Sequence, residues 1–170
     1  MRRIYLLVVS VALAITAAAC NNGVEPFLPL VNNEMRASIS DYGTFDSKPD
    51  VNTQFDGSNY ILKAPILGES GSDTLVLTLV IPKRDTIPYT IAVENDAAAQ
   101  IDLCVQQQSG SCINFDAKQG LGSAAITVNS ITTDASGRIM QGTFSGILQP
   151  SSTPGTARTI TNGEFKIILP

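Results

Sequence analysis

Thr74-Leu75-Val76-Leu77-Thr78-Leu79-Val80-Ile81 alternates leucine or isoleucine with valine or threonine, and Pro82 follows it. Successive side chains of an extended strand point to opposite faces. Leu75, Leu77, Leu79 and Ile81 therefore share one apolar face, and Thr74, Val76, Thr78 and Val80 share the other. No helical period fits this run, and no segment of the domain holds one over three turns. The rest of the chain reads as short runs of the same kind, divided by Gly, Pro, Asn, Asp and Ser. That punctuation defines an all-β domain.

Upstream, Tyr60–Leu67 reads as a strand in which Pro65 requires an edge or a bulge. Downstream, Pro88 opens a strand over Tyr89–Glu94, and Ala97-Ala98-Ala99 has the composition of one short turn. Gln100–Gln106 and Cys112–Phe115 read as a hairpin pair. Ala124–Thr132, the turn Asp134-Ala135-Ser136-Gly137, and Arg138–Leu148 form a second hairpin, with Met140, Phe144 and Leu148 on one face. Gly142 and Gly146 share that face, which signals close backbone approach or a bend. Thr159–Leu169 closes the chain with Phe165, Ile167 and Leu169 inward, and Asn162-Gly163 has the composition of a tight turn. The expected architecture is an antiparallel β-sandwich of about seven to nine strands. The alternative is a small up-and-down or lipocalin-like barrel.

The N-terminus reads differently. Arg2 and Arg3 precede a 16-residue stretch, Ile4–Ala19, that ends in Ala17-Ala18-Ala19 before Cys20. A spanning helix needs about 20 apolar residues. Small residues before a cysteine fit a peptidase site better than an uncleaved anchor. The arrangement resembles a bacterial lipoprotein signal peptide, with Ala17 where an aliphatic residue is usual. The resemblance implies that residues 1–19 are removed, that Cys20 is lipidated, and that residues 20–33 tether a single β domain over 34–170. Two or more acyl chains give stable membrane anchoring. Asn21 lacks the acidic character of an inner-membrane retention signal, so the resemblance implies the outer membrane of a cell envelope, on a face the sequence leaves open. Gly137-Arg138-Ile139, Gly142-Thr143-Phe144-Ser145-Gly146 and Ile160-Thr161-Asn162-Gly163-Glu164-Phe165 resemble the end of small uncharacterised lipoproteins of the Bacteroidetes type. That family implies no activity.

Composition removes several functions. The 170 residues include no His, and 11 basic residues stand against 15 acidic ones for a net charge of −4. Without histidine there is no Ser-His-Asp or Cys-His catalysis and no histidine pH switch. The charge gives no nucleic-acid footprint, and no Gly-rich phosphate loop is present. No cofactor and no metal site is expected. Asp50, Asn52, Gln54 and Asp56 alternate as in a calcium loop, but Phe55 and Ile61 stand where that loop requires Gly and an acid. Cys104 and Cys112 flank a turn-rich septet, and an oxidising envelope favours a disulfide between them. Opposite pairing of the two cysteines would put Ile101, Leu103 and Val105 on one face and Asp102 and Cys104 on the other.

The functional expectation is a non-catalytic binding or structural accessory domain. Its recognition would be carried by the loops at 41–58, 68–73, 107–111 and 150–157, and its partner would be an envelope protein or a glycan. Two alternatives stand beside it. One is a carboxylate-based, glycan-directed hydrolase, which needs two converging acids. The other is a barrel that carries a small apolar ligand.

Overall fold

The computed structural model describes residues 29–47, 50–67, 74–107, 110–151 and 155–170. The leader, Cys20 and the loop at 68–73 lie outside the described residues. Eleven strands follow in order: β1 Glu34–Ile39, β2 Gly43–Asp46, β3 Asn52–Phe55, β4 Asn59–Leu67, β5 Thr74–Pro82, β6 Tyr89–Ala92, β7 Gln100–Gln106, β8 Cys112–Ala117, β9 Ser123–Asp134, β10 Gly137–Pro150 and β11 Arg158–Ile168. A 3-10 turn, Val93–Asn95, ends the run that the sequence extends to Glu94. The fold is all-β, and every strand pair is antiparallel. The count exceeds seven to nine because β1, β2 and β3 fall in residues 34–58, where the sequence reading names no strand, whereas β6 is the first part of the strand read over Tyr89–Glu94.

One half of the sheet, sheet A, has the order β2-β1-β11-β10-β9-β6, and the other, sheet B, has β3-β4-β5-β7-β8. The long strand β10 joins them. Its body pairs with β9 and β11, and its last residues cross to β8 through Gln149↔Asp116 and Pro150↔Phe115. The result is one curled sheet forming a half-barrel, between the two architectures the sequence suggests. Shared β10 keeps its halves from being separate layers.

The alternation in β5 is realised as read. Leu77, Leu79 and Ile81 are fully buried, each such side chain worth about 1.5–3 kcal/mol relative to exposure. They belong to one hydrophobic cluster with Met35, Phe45, Leu62, Leu103, Ile126, Phe144 and Phe165, drawn from both halves of the sheet. Pro65 lies where β4 is an edge, because β3 pairs only with residues 60–63. Its missing N–H therefore costs no ladder bond.

Two bulges bend sheet A. Between β9 and β10 the register shifts at Gln141/Gly142. On β11 it shifts against both neighbours, between Arg36 and Ser38 of β1 and between Phe144 and Gly146 of β10. Asn162 takes the left-handed conformation there, with φ 53°. The Asn162-Gly163 pair is thus not a hairpin turn but a bulge within β11. An extra residue in one strand bends it and increases local twist.

The segment before β1 is tied to the domain. Asn33 is left-handed (φ 61°), and its Oδ1 accepts a 2.9 Å bond from the Ile168 amide. The Val31 amide donates to Glu34 Oε2 at 2.5 Å. Glu34 Oε1 stands 3.4 Å from Arg36 Nε, and both residues are buried although they point away from the core.

Candidate functional site

The outer face of sheet A carries a cross-strand row. Thr90 of β6 faces Thr127 of β9, which faces Thr143 of β10, which faces Glu164 of β11, then Arg36 of β1 and Asp46 of β2. Hydroxyls thus occupy three strands and charges the other three. Thr90 Oγ1 and Thr127 Oγ1 are 2.9 Å apart and hydrogen-bonded. The bulge at Asn162 lifts β11 beside this row. It opens a depression of about 570 Å³ lined chiefly by Thr127, Thr143, Ser145, Thr161, Asn162 and Glu164. A second depression of about 300 Å³ continues past Thr143 and Glu164 to Gln141, Lys166 and Asn129, and Pro29 and Leu30 wall it. The two share the Thr143–Glu164 pair and make one trough. Its polar side chains are hydroxyls and amides with one carboxylate and one ammonium, over a partly apolar floor that includes Ala125 and Phe144, a surface that offers hydrogen bonds beside apolar contact.

A third depression, about 300 Å³, lies at the β6 edge. Its charges are already matched, since Arg84 Nη2 donates to Asp96 Oδ2 at 2.5 Å. Tyr89 beside it donates its hydroxyl to the Pro82 carbonyl at 2.9 Å, and burial raises the pKa of that phenol.

The outer face of sheet B carries a carboxylate pair. Asp102 of β7 and Asp116 of β8 are direct cross-strand partners. Asp116 is 6% exposed. Its Oδ2 accepts from Ser151 Oγ at 2.6 Å and from Lys118 Nζ at 3.1 Å. Asp102 Oδ1 accepts from Gln100 Nε2 at 2.5 Å. Burial first, then the neighbouring Asp116, push the Asp102 carboxyl up to about 6, with Gln100 and Lys118 acting the other way. Two carboxyls directly opposite across a strand pair make it costly for both to ionise.

The remaining candidates fall elsewhere. Cys104 and Cys112 are at disulfide-bonding distance, with Cα atoms 5.6 Å apart. They are diagonal rather than opposite, because Cys104 faces Asn114 and Cys112 faces Gln106. Ile101, Leu103 and Val105 are buried, and Asp102 and Cys104 lie on the outer side, as the alternation requires. The calcium-like spacing resolves into strand β3 and an Asx turn. Asp56 Oδ1 accepts from the amides of Ser58 and Asn59 at 2.8 and 2.7 Å, and Oδ2 accepts from Asn59 Nδ2 at 3.0 Å. The Asn59 side chain and these amides hold the Asp56 carboxyl below its ordinary value. Among the described residues, no group of three or more His, Cys, Asp or Glu could hold a metal ion.

Neither the trough nor the carboxylate pair is visible as a sequence motif. The trough depends on a bulge that shifts register on both sides of β11. The pair depends on a hairpin register two residues away from the one the cysteines suggest. Compared with known proteins, the chain matches no family model, no curated protein and no solved structure.

Proposed function

We propose that this chain is a lipid-anchored protein of the bacterial cell envelope, held through Cys20, whose β domain is a non-catalytic binding or structural accessory. The observation that carries the binding role is the polar trough on sheet A, walled by Pro29 and Leu30 at the domain end of the tether. Hydroxyls and amides beside one carboxylate, one ammonium and some apolar surface fit an extended polar chain, such as an envelope glycan or a peptide loop. Lipoproteins of the Bacteroidetes type remain the resemblance behind the placement, and the outer membrane the expected location. The inward side chains of both sheet halves form one packed cluster, which supports a scaffold rather than a carrier of a small apolar ligand.

Asp102 and Asp116 favour the second reading, a carboxylate hydrolase. Neither residue lines any of the three depressions described above, so the non-catalytic reading is preferred.

A photo-crosslinking residue at Thr143, in the trough, tests the binding role in cells, with Lys63 on the opposite face as control. A defined adduct from position 143 and none from 63 is expected. Equal adducts from both positions, or none from 143, overturn the assignment. Labelling with a fatty-acid probe tests the anchor. Wild type is tagged and Cys20→Ala is not, and equal tagging removes the lipoprotein reading.

A further inference from the structure

We propose that Asp102 and Asp116 form a proton-operated clasp at the seam of the half-barrel, closed in mildly acidic surroundings and loosened near neutral pH. The seam is the short crossing in which β10 leaves sheet A for sheet B. Only Gln149↔Asp116 and Pro150↔Phe115 pair there. The Ser151 amide extends it by donating to the Asn114 carbonyl at 3.0 Å. The Ser151 hydroxyl donates to Asp116 Oδ2 at 2.6 Å. Asp116 is therefore the side chain through which the end of β10 is fastened to β8.

Like charges directly opposite in a sheet destabilise it. At this place the opposition is between two carboxyls, one of them almost fully buried. A single shared proton turns the opposition into a hydrogen bond. Its loss leaves two negative charges side by side at the fastening point. Every element around the pair contributes to the balance. Lys118 on the β8 side offers one positive charge to Asp116. Gln100 on β7 and Thr78 on β5 are neutral. Lys63 of β4 stands one strand beyond Thr78 in the same row. Gln149 of β10 is neutral. One nearby ammonium does not offset two carboxylates in a buried setting.

The sign follows from linkage. Asp102 titrates near 6 in the fold, above the ordinary 3.8. The fold therefore binds this proton more tightly than the unfolded chain does. Its contribution is complete below pH 4 and disappears as pH rises through about 6. The sequence contains no histidine, so no other side chain with an ordinary pKa titrates between pH 5 and 7. The window belongs to this pair.

The full chain in mild detergent, followed by carboxyl 13C NMR from pH 4 to 8, tests the clasp. Asp102 should titrate with a midpoint near 6. Protection factors of the Gln149 and Ser151 amides, which correct exchange for its intrinsic rise with pH, should fall through the same range. Melting followed by circular dichroism should show Tm falling by about 3–6 °C between pH 5 and 7, and Asp102→Asn should abolish that step. A wild-type midpoint at or below 4.5 overturns the clasp whether or not the variant folds. An unchanged pH step in Asp102→Asn overturns it too. A Ser151 protection factor that does not change with pH would place the titration away from the seam and overturn the mechanical part.

Discussion

The ring of Phe144 covers Gly163: the two are cross-strand partners, and a Cβ built on Gly163 would stand 2.6 Å from Phe144 Cδ2. Two residues along, the relation is inverted, with Phe165 paired to Gly142 and its Cζ 2.4 Å from that glycine's Cβ position. The rings lie 6.5 Å apart at 29°. Gly-x-Phe on β10 and Gly-x-Phe on β11, run antiparallel, put each ring over the other strand's glycine. That is the physical content of the C-terminal motif, a packing device that needs no ligand. Gly142→Ala also brings Cβ within 2.1 Å of the Thr127 carbonyl, a backbone atom that cannot swing away. Gly142→Ala and Gly163→Ala should each cost about 2–4 kcal/mol, as overpacked core sites do. Urea unfolding followed by circular dichroism measures it, and a loss below 0.5 kcal/mol in both would refute the interlock.

Asn162 makes the next test, because the bulge it forms opens the trough. Its φ of 53° suits asparagine or glycine and is unfavourable for a β-branched residue. Asn162→Gly should keep stability within about 0.5 kcal/mol, whereas Asn162→Val should lose about 1–2 kcal/mol. Equal stability of the two variants, in the same unfolding experiment, would mean that the left-handed bulge is not the ground state.

Side-chain direction was readable from the sequence, and register was not. Alternation alone placed Leu75, Leu77, Leu79 and Ile81 inward, and it also divided Ile101, Leu103 and Val105 from Asp102 and Cys104. Face assignment survives any slip of two residues, because the strand period is two. Partners do not survive it. Opposed cysteines would have put Asp102 against Asn114. The observed register puts it against Asp116 and creates the carboxylate pair. Asn162-Gly163 misled for a related reason, since the residues that favour a two-residue hairpin also favour a bulge. The edge strands β2 and β3, four residues each, are too short to show a period.

The Cys104–Cys112 link lies on the outer side of the hairpin, with Cys112 exposed and Cys104 half-buried. A bond there constrains the unfolded chain without filling the core. Its reduction should cost about 2–3 kcal/mol, the chain-entropy value for so short a loop. Intact-mass analysis after alkylation, with and without reductant, checks the bond, and parallel unfolding curves check its worth. Two alkylatable thiols in unreduced, denatured native-source protein would remove the bond.

The tether poses the last test. Its folded end is fastened by backbone and side-chain bonds, from the Val31 amide to Glu34 and from the Ile168 amide to Asn33. The core itself draws on β1 onward, beginning with Met35. A chain starting at Asn33 keeps the Asn33–Ile168 bond and the whole apolar cluster but loses the Val31 cap on the buried Glu34–Arg36 pair. A buried carboxylate deprived of one hydrogen bond costs about 1–3 kcal/mol. Residues 33–170 should therefore fold without lipid, with a β-type circular dichroism spectrum and a cooperative melt. They should melt below residues 29–170 by about 2–8 °C. A coil spectrum for residues 33–170 would show that the fold depends on the segment before it. Identical melting of the two chains would show that the Val31–Glu34 bond contributes nothing.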